Sequence, residues 1–205
     1  MIVLAYAFIS AVSAYIAQFH RPFIVLRLII KPAPLILLAI WYRSSIEPVA
    51  LYGLVFSSLG DVLLVPMNRW SALLGVLSFT VAQVLYIFNF GLVACDITAL
   101  ALFVSWSTVI YVIMAQVSQL TRNIKLVLSI YIAMLSIMLL SGIYTQSTYA
   151  MLGAVLFTFS DGMIAYKAIR TVTLHNVLIM STYYAAQISI IYWSAVQQKV
   201  HEKSL

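Results

Sequence analysis

The chain has 205 residues, of which 64% are hydrophobic and 8% are charged, and its formal net charge is +6. Because soluble domains carry about 25% charged residues, this composition excludes a water-soluble globule, a disordered tail and a coiled coil. We therefore predict an all-α, polytopic membrane protein with residues 1–205 in one membrane-embedded domain. Its basic residues then serve orientation in lipid, and no nucleic-acid partner is expected.

Charged and turn-forming residues divide the chain into eight apolar stretches, each close to the roughly 20 residues that a helical crossing needs. The predicted spans are 2–19, 22–42, 48–66, 71–90, 97–117, 124–142, 147–167 and 176–196. The connections between them are short, which predicts that successive helices are antiparallel neighbours.

Basic residues are more numerous in the loops after odd-numbered spans than on the opposite side. The first set is Arg21, Arg69, Arg122, Lys125, Lys167 and Arg170, and the second set is Arg43, Lys199 and Lys203. Since cytoplasmic loops are rich in Lys and Arg, both termini are expected outside the cytoplasm. The short chain favours a bacterial inner membrane as its location.

Two nine-residue segments, 53–61 and 153–161, resemble each other at a spacing of 100 residues, with Gly, Val and Asp in the same places. On the next helix of each set, Ala-Gln pairs at 82–83 and 186–187 match at a spacing of 104 residues. This repeat predicts two four-helix halves, approximately 1–95 and 96–200, related by an axis along the membrane normal.

The repeat places Asp61 and Asp161 inside apolar helices, where a charge costs about 2.5–3.5 kcal/mol. Arg27 and Lys31 are one turn apart on the second span, just before a kink expected at Pro32. Ionisable residues in membrane helices are usually functional.

A purely structural alternative stays open at this point. Asp61 with Lys31, and Asp161 with Arg27, would form ion pairs that hold helices together without any chemistry. The remaining polar residues of the same helices would then be interhelical hydrogen-bonding groups. These are Gln83, Tyr86 and Gln187.

Several of these residues, in their order and spacing, resemble the YhhN-type lysoplasmalogenases. The similar segments are Lys31-Pro32-x-Pro34, Gly60-Asp61-Val62-Leu63-Leu64, Phe79-x-x-Ala82-x-x-x-Tyr86, Ser160-Asp161 and Tyr183-Tyr184-Ala185-Ala186-Gln187. The resemblance extends from about residue 25 to residue 195, which is nearly the whole chain.

The resemblance implies an eight-helix membrane enzyme. Its substrates would be choline or ethanolamine lysoplasmalogens, and its products a fatty aldehyde and glycerophosphocholine or glycerophosphoethanolamine. The family's suspected catalytic acids correspond to Asp61 and Asp161. The candidate substrate-binding or charge-balancing residues are Lys31, Arg27, Gln83, Tyr86, Tyr183 and Gln187. Many relatives have His where this chain has Gln83, which puts a catalytic role of that position in doubt.

Vinyl ethers are hydrolysed by acid through an oxocarbenium ion, so one protonated and one ionised carboxyl group suit the reaction, as in glycosidases. This chemistry requires no metal and no cofactor, and the expected partners are a lysophospholipid and membrane lipids. Two alternatives to a hydrolase stay open, of which the first uses the buried acids and the second gives them no chemical role. These are a proton-coupled transporter or lipid scramblase, and a non-enzymatic assembly or sensor protein.

Overall fold

The computed structural model describes residues 2–16, 24–66, 68–91, 101, 104–105, 108, 122–170 and 176–204. Within these ranges every element longer than a turn is an α-helix, which confirms the all-α prediction. The helices are α1 (Ile2–Ile16), α2 (Ile24–Ile30), α3 (Ala33–Tyr42), α4 (Pro48–Leu63), α5 (Arg69–Phe90), α6 (Arg122–Tyr144), α7 (Thr148–Arg170) and α8 (Asn176–Ser204).

Apolar helices of membrane-spanning character recur along the described chain. Three stretches are long and apolar enough to cross a bilayer, namely Ile24–Tyr42, Arg69–Phe90 and Ile124–Tyr144. Shorter apolar helices cover Val3–Ile16, Pro48–Leu63 and Thr148–Ile164. The predicted fifth span, 97–117, lies outside the described residues apart from a few isolated positions. Eight complete crossings and two related halves therefore stay predictions.

The second predicted span is interrupted where the sequence places its prolines. A turn at Lys31 and Pro32 separates α2 from α3, and Pro34 occupies the first turn of α3. Proline has no amide hydrogen and therefore cannot continue the hydrogen-bond ladder of a helix. The hydroxyl of Tyr184 in α8 donates to the Lys31 carbonyl oxygen at 2.8 Å, so a side chain uses backbone polarity at the kink.

Close helix packing positions the polar residues of the bundle. Helix α4 packs along α5 and α7 packs along α8, while α6 contacts α5 and α7. A Cβ atom added at Gly53 would come within 3.0 Å of the Tyr86 ring, and one added at Gly153 would come within 3.0 Å of Ile190. Tyr86 and Ile190 match at the same 104-residue spacing as the Ala-Gln pairs. A glycine thus faces the matched position of the next helix in both helix pairs. The two four-helix halves stay a prediction.

Candidate active site

The carboxylate of Asp61 is buried between three helices near the end of α4, with 2% of its surface exposed. Its Oδ1 atom lies 3.1 Å from Nζ of Lys31 at the kink, and its Oδ2 atom accepts from the Tyr183 hydroxyl at 3.0 Å. The Lys31 ammonium also lies 3.4 Å from the Asp61 carbonyl oxygen. Both carboxylate oxygens are therefore partnered, as expected of a buried charge.

The carboxyl group of Asp161, on α7, has a different kind of partner. The Tyr131 hydroxyl of α6 donates to its Oδ2 atom, whereas the ion-pair alternative expects Arg27 at this position. Asp161 is also less deeply buried than Asp61. This hydrogen-bond donor is neutral, and it comes from α6, which lies in the predicted second half but outside the matched segments.

Tyr131 was missed by the sequence reasoning. Its position in the apolar span indicates its importance, because Tyr131 is the tenth residue of α6 and lies far from either end. Tyrosines of membrane helices are enriched at the interfaces, where the hydroxyl reaches water. A tyrosine well inside a span therefore indicates a hydrogen-bond partner within the bundle.

Arg27 and Lys31 share one face of the second span, as predicted. Both line a narrow cleft that α1 closes from the other side with Ser13 and Ile16. Arg27 is buried although α2 is short, and it precedes Lys31 by one helical turn. The cations are thus adjacent, and the ion pair seen among the described residues joins Lys31 to Asp61.

A hydrogen-bonded chain runs across the bundle beside Asp61. The Tyr86 hydroxyl donates to Oε1 of Gln187 at 2.6 Å, and Nε2 of Gln187 donates to the Ser57 hydroxyl at 3.2 Å. All three side chains are fully buried. The predicted interhelical role of Tyr86 and Gln187 is therefore observed as hydrogen bonds between α4, α5 and α8.

Gln83 is equally buried but differs in its contacts. Among the residues that the structure describes, neither Oε1 nor Nε2 of Gln83 has a hydrogen-bond partner. The Tyr131 hydroxyl lies close enough to this amide for a weak hydrogen-bonding interaction, although the geometry of a regular hydrogen bond is not met. An unpaired amide is thus placed beside the tyrosine that donates to Asp161.

Aromatic rings connect the surroundings of the two acids. The Tyr183 ring, whose hydroxyl donates to Asp61, packs edge-on against Phe157 at 5.8 Å between centroids. Phe157 precedes Asp161 by one turn of α7. The two carboxyl groups are also close enough to interact electrostatically. The structure therefore brings both predicted acids into one apolar, aromatic-walled region.

This chain matches the family model described as the YhhN family over residues 26–194. It is 33% identical over 158 residues to lysoplasmalogenase TMEM86A of Bos taurus, with 72% of this chain and 65% of that protein aligned. It is 32% identical over 139 residues to lysoplasmalogenase TMEM86B of Sus scrofa, with 67% of this chain and 59% of that protein aligned. No solved structure matches significantly.

These matches confirm the resemblance given by the sequence motifs. The chain spans less than two thirds of the length of the curated relatives it matches. The relatives and the apolar helices together indicate a membrane protein. The relatives are from cattle, pig and rat, so they lend no support to the predicted bacterial inner membrane.

Proposed function

Since the chain belongs to the YhhN family, we propose that it is a lysoplasmalogenase, which hydrolyses the sn-1 vinyl ether bond of choline or ethanolamine lysoplasmalogens. The products are a fatty aldehyde and glycerophosphocholine or glycerophosphoethanolamine. Relatives named lysoplasmalogenase support the activity. The structural observation that carries it is one apolar region with two carboxyl groups, of which one contacts a cation and the other a neutral hydroxyl.

The reaction begins with transfer of a proton to the β-carbon of the vinyl ether. The carbon–carbon double bond becomes single, and the positive charge is shared between the α-carbon and the ether oxygen as an oxocarbenium ion. Water adds to the α-carbon and releases a proton. The resulting hemiacetal loses the glycerol oxygen as an alcohol and becomes the aldehyde, so one water is consumed for each bond broken.

We assign Asp161 as the proton donor and Asp61 as the charge that stabilises the oxocarbenium ion. Lys31 contacts Asp61 at 3.1 Å, and an adjacent cation favours the ionised form of a carboxyl group. Among the described residues the hydrogen-bond partner of Asp161 is the neutral Tyr131 hydroxyl, and burial in an apolar region favours the protonated form of a carboxyl group. A neighbouring anion stabilises a developing cation most strongly where water is excluded.

In this proposal the lysolipid reaches the acids from the bilayer. Asp61 lies near the C-terminal end of α4, and the N-terminal end of α5 lies at the same membrane interface. The substrate headgroup would stay at that interface, while its tail extends between the helices. In the predicted topology, with both termini outside, this side faces the cytoplasm.

A bond-selectivity assay tests the activity. The purified protein is given three lysophospholipids with the same headgroup and tail length, joined at sn-1 by a vinyl ether, an alkyl ether or an ester. We expect fatty aldehyde from the vinyl ether alone, since an alkyl ether resists acid and an ester usually requires a nucleophile. The variant Glu47→Gln, which changes an exposed carboxylate outside the bundle core, serves as the control that keeps activity.

Two results would overturn the proposal. Absence of aldehyde from a folded, monodisperse protein with either headgroup would remove the hydrolase function. Translocation of intact lysolipid across reconstituted vesicles, without bond cleavage, would replace it with transport.

A further inference from the structure

Two matched glutamines of the bundle differ in whether their amides are satisfied. The amide of Gln187 is paired with Tyr86 and with Ser57. Neither polar atom of Gln83 has a hydrogen-bond partner among the described residues, although 0% of this side chain is exposed. Nearly all buried polar groups are hydrogen-bonded, so an unpaired one requires an explanation such as a bound water or a catalytic role.

The difference between the glutamines follows from two other positions of the repeat. The hydroxyl groups that satisfy Gln187 come from Ser57 and Tyr86. The residues at the matching places, Phe157 and Ile190, have no hydroxyl group. The two hydroxyl groups that satisfy Gln187 therefore have no counterpart at Gln83, and the nearby Tyr131 hydroxyl already donates to Asp161. The Gln83 amide thus points to an exogenous group that both donates and accepts a hydrogen bond.

On the basis of the proposed function, we propose that the Gln83 amide holds the water molecule that attacks the oxocarbenium ion. Oε1 accepts one hydrogen of this water and Nε2 donates to its oxygen or to the new hemiacetal hydroxyl. The water oxygen forms a bond to the α-carbon, and its proton passes to a carboxylate of the acid pair. Gln83 itself neither gains nor loses a proton.

The depth of Gln83 favours water over the free sn-2 hydroxyl of the substrate. Gln83 lies between Phe79 and Tyr86, which face Gly60 and Gly53 respectively. Since α4 and α5 run in opposite directions, Gln83 is about one turn, roughly 5 Å, further than Asp61 from the loop joining these helices. The glycerol and headgroup would remain on the loop side of Asp61, so their hydroxyl would not reach this depth.

The test compares Gln83→Leu with the matched variant Gln187→Leu in purified protein. Without a held water, addition becomes slow, and we expect kcat of Gln83→Leu to fall by about tenfold to a hundredfold. A small added nucleophile such as methanol should then accelerate its consumption of substrate. In wild type the earlier protonation limits the rate, so methanol should have no effect. Gln187→Leu should lose thermal stability without becoming responsive to methanol.

Two further variants separate water positioning from loss of structure. Gln83→His keeps one donor and one acceptor, and we expect it to recover most of the rate and to lose the methanol response. Gln83→Met replaces Gln83→Leu if the branched side chain prevents folding. A methanol response that is the same in wild type and in folded Gln83→Leu or Gln83→Met would overturn the proposal.

The assay also distinguishes this inference from its alternatives. With an sn-2-deoxy substrate, the rate ratio between wild type and Gln83→Leu should stay the same. If that ratio falls to one, Gln83 binds the substrate hydroxyl and the water assignment is wrong. If wild type releases no aldehyde at all, the proposed function itself fails, and the inference fails with it.

Discussion

Asp61 and Asp161 occupy matched positions of the repeat, but their carboxyl groups contact partners of different charge. Asp61 contacts the cation of Lys31 and accepts from Tyr183, while Asp161 accepts from the neutral Tyr131. Asp61 is also the more deeply buried of the two. Two carboxyl groups whose environments separate them in this way are suited to acid and base roles.

The different partners of Asp61 and Asp161 follow in part from one further pair of matched positions. Tyr183, which donates to Asp61, matches Phe79 at the spacing of 104 residues. Phe79 has no hydroxyl group, and its ring packs edge-on against Tyr183 at 6.0 Å. Asp161 therefore takes its hydrogen bond from Tyr131 of α6, outside the matched segments. The hydroxyl that Phe79 lacks, together with the contact of Lys31 with Asp61, makes the two related sites chemically unequal.

The largest expected effect is on turnover in Asp161→Asn. An asparagine cannot donate a proton to carbon, and general acid catalysis contributes about 10²–10⁴-fold. We expect aldehyde release to fall by at least about a hundredfold while thermal stability changes little, because Asn still accepts from Tyr131. Turnover within a few-fold of Glu47→Gln would show that Asp161 is not the acid.

Asp61→Asn should differ by losing stability as well as turnover. It leaves the Lys31 ammonium without its carboxylate, and breaking a buried ion pair costs about 3–5 kcal/mol. Since 14% of the Lys31 side chain is exposed, we expect the free energy of unfolding to fall by about 3 kcal/mol. Adding Lys31→Met to Asp61→Asn should restore stability but not activity. If the double variant regained activity as well as stability, the Asp61 carboxylate would have only a structural role.

The two tyrosines allow a smaller and sharper comparison. Tyr131→Phe removes the hydroxyl donor of Asp161, and we expect about a tenfold lower kcat because the acid loses its orientation. Tyr183→Phe leaves Asp61 with Lys31, so turnover should change less, while the free energy of unfolding falls by about 1.5–3 kcal/mol for a lost bond to a charged group. Equal effects of both variants on kcat would contradict the separate roles of the acids.

The smallest effects are expected at the two glycines of the repeat. An added methyl at Gly53 meets the Tyr86 ring, whereas one at Gly153 meets Ile190 and also lies 3.1 Å from its backbone nitrogen. Overpacking typically costs about 1–3 kcal/mol. We expect Gly153→Ala to be the more destabilising, because the helix backbone at Ile190 can shift less easily than the Tyr86 ring that faces Gly53. Thermal unfolding of both variants measures the difference, and the opposite order would contradict this account of the packing.

The sequence alone predicted the helical class and the kink at Pro32, and it gave the pairing of Lys31 with Asp61 as part of a structural alternative that stayed open. These depend on local composition, on the missing amide of proline, and on the need of a buried acid for a nearby cation. The family was also identified from the motifs and is confirmed by the comparisons.

Other features depend on contacts between distant helices, which spacing along one chain does not specify. Tyr183 contacts Asp61 across 122 residues, and Tyr131 contacts Asp161 from a helix outside the matched segments. The two Ala-Gln pairs are identical in sequence, so their unequal hydrogen bonding follows only from what faces them. Candidate residues could be named from the sequence, but not their assignment to one acid or the other.

The most direct test of the central claim is fatty aldehyde release from an ethanolamine lysoplasmalogen, with equal amounts of folded wild type and Asp161→Asn. We predict aldehyde in proportion to time from wild type and essentially none from the variant. No aldehyde from wild type, or undiminished aldehyde from the variant, would contradict hydrolysis by an unequal carboxyl pair.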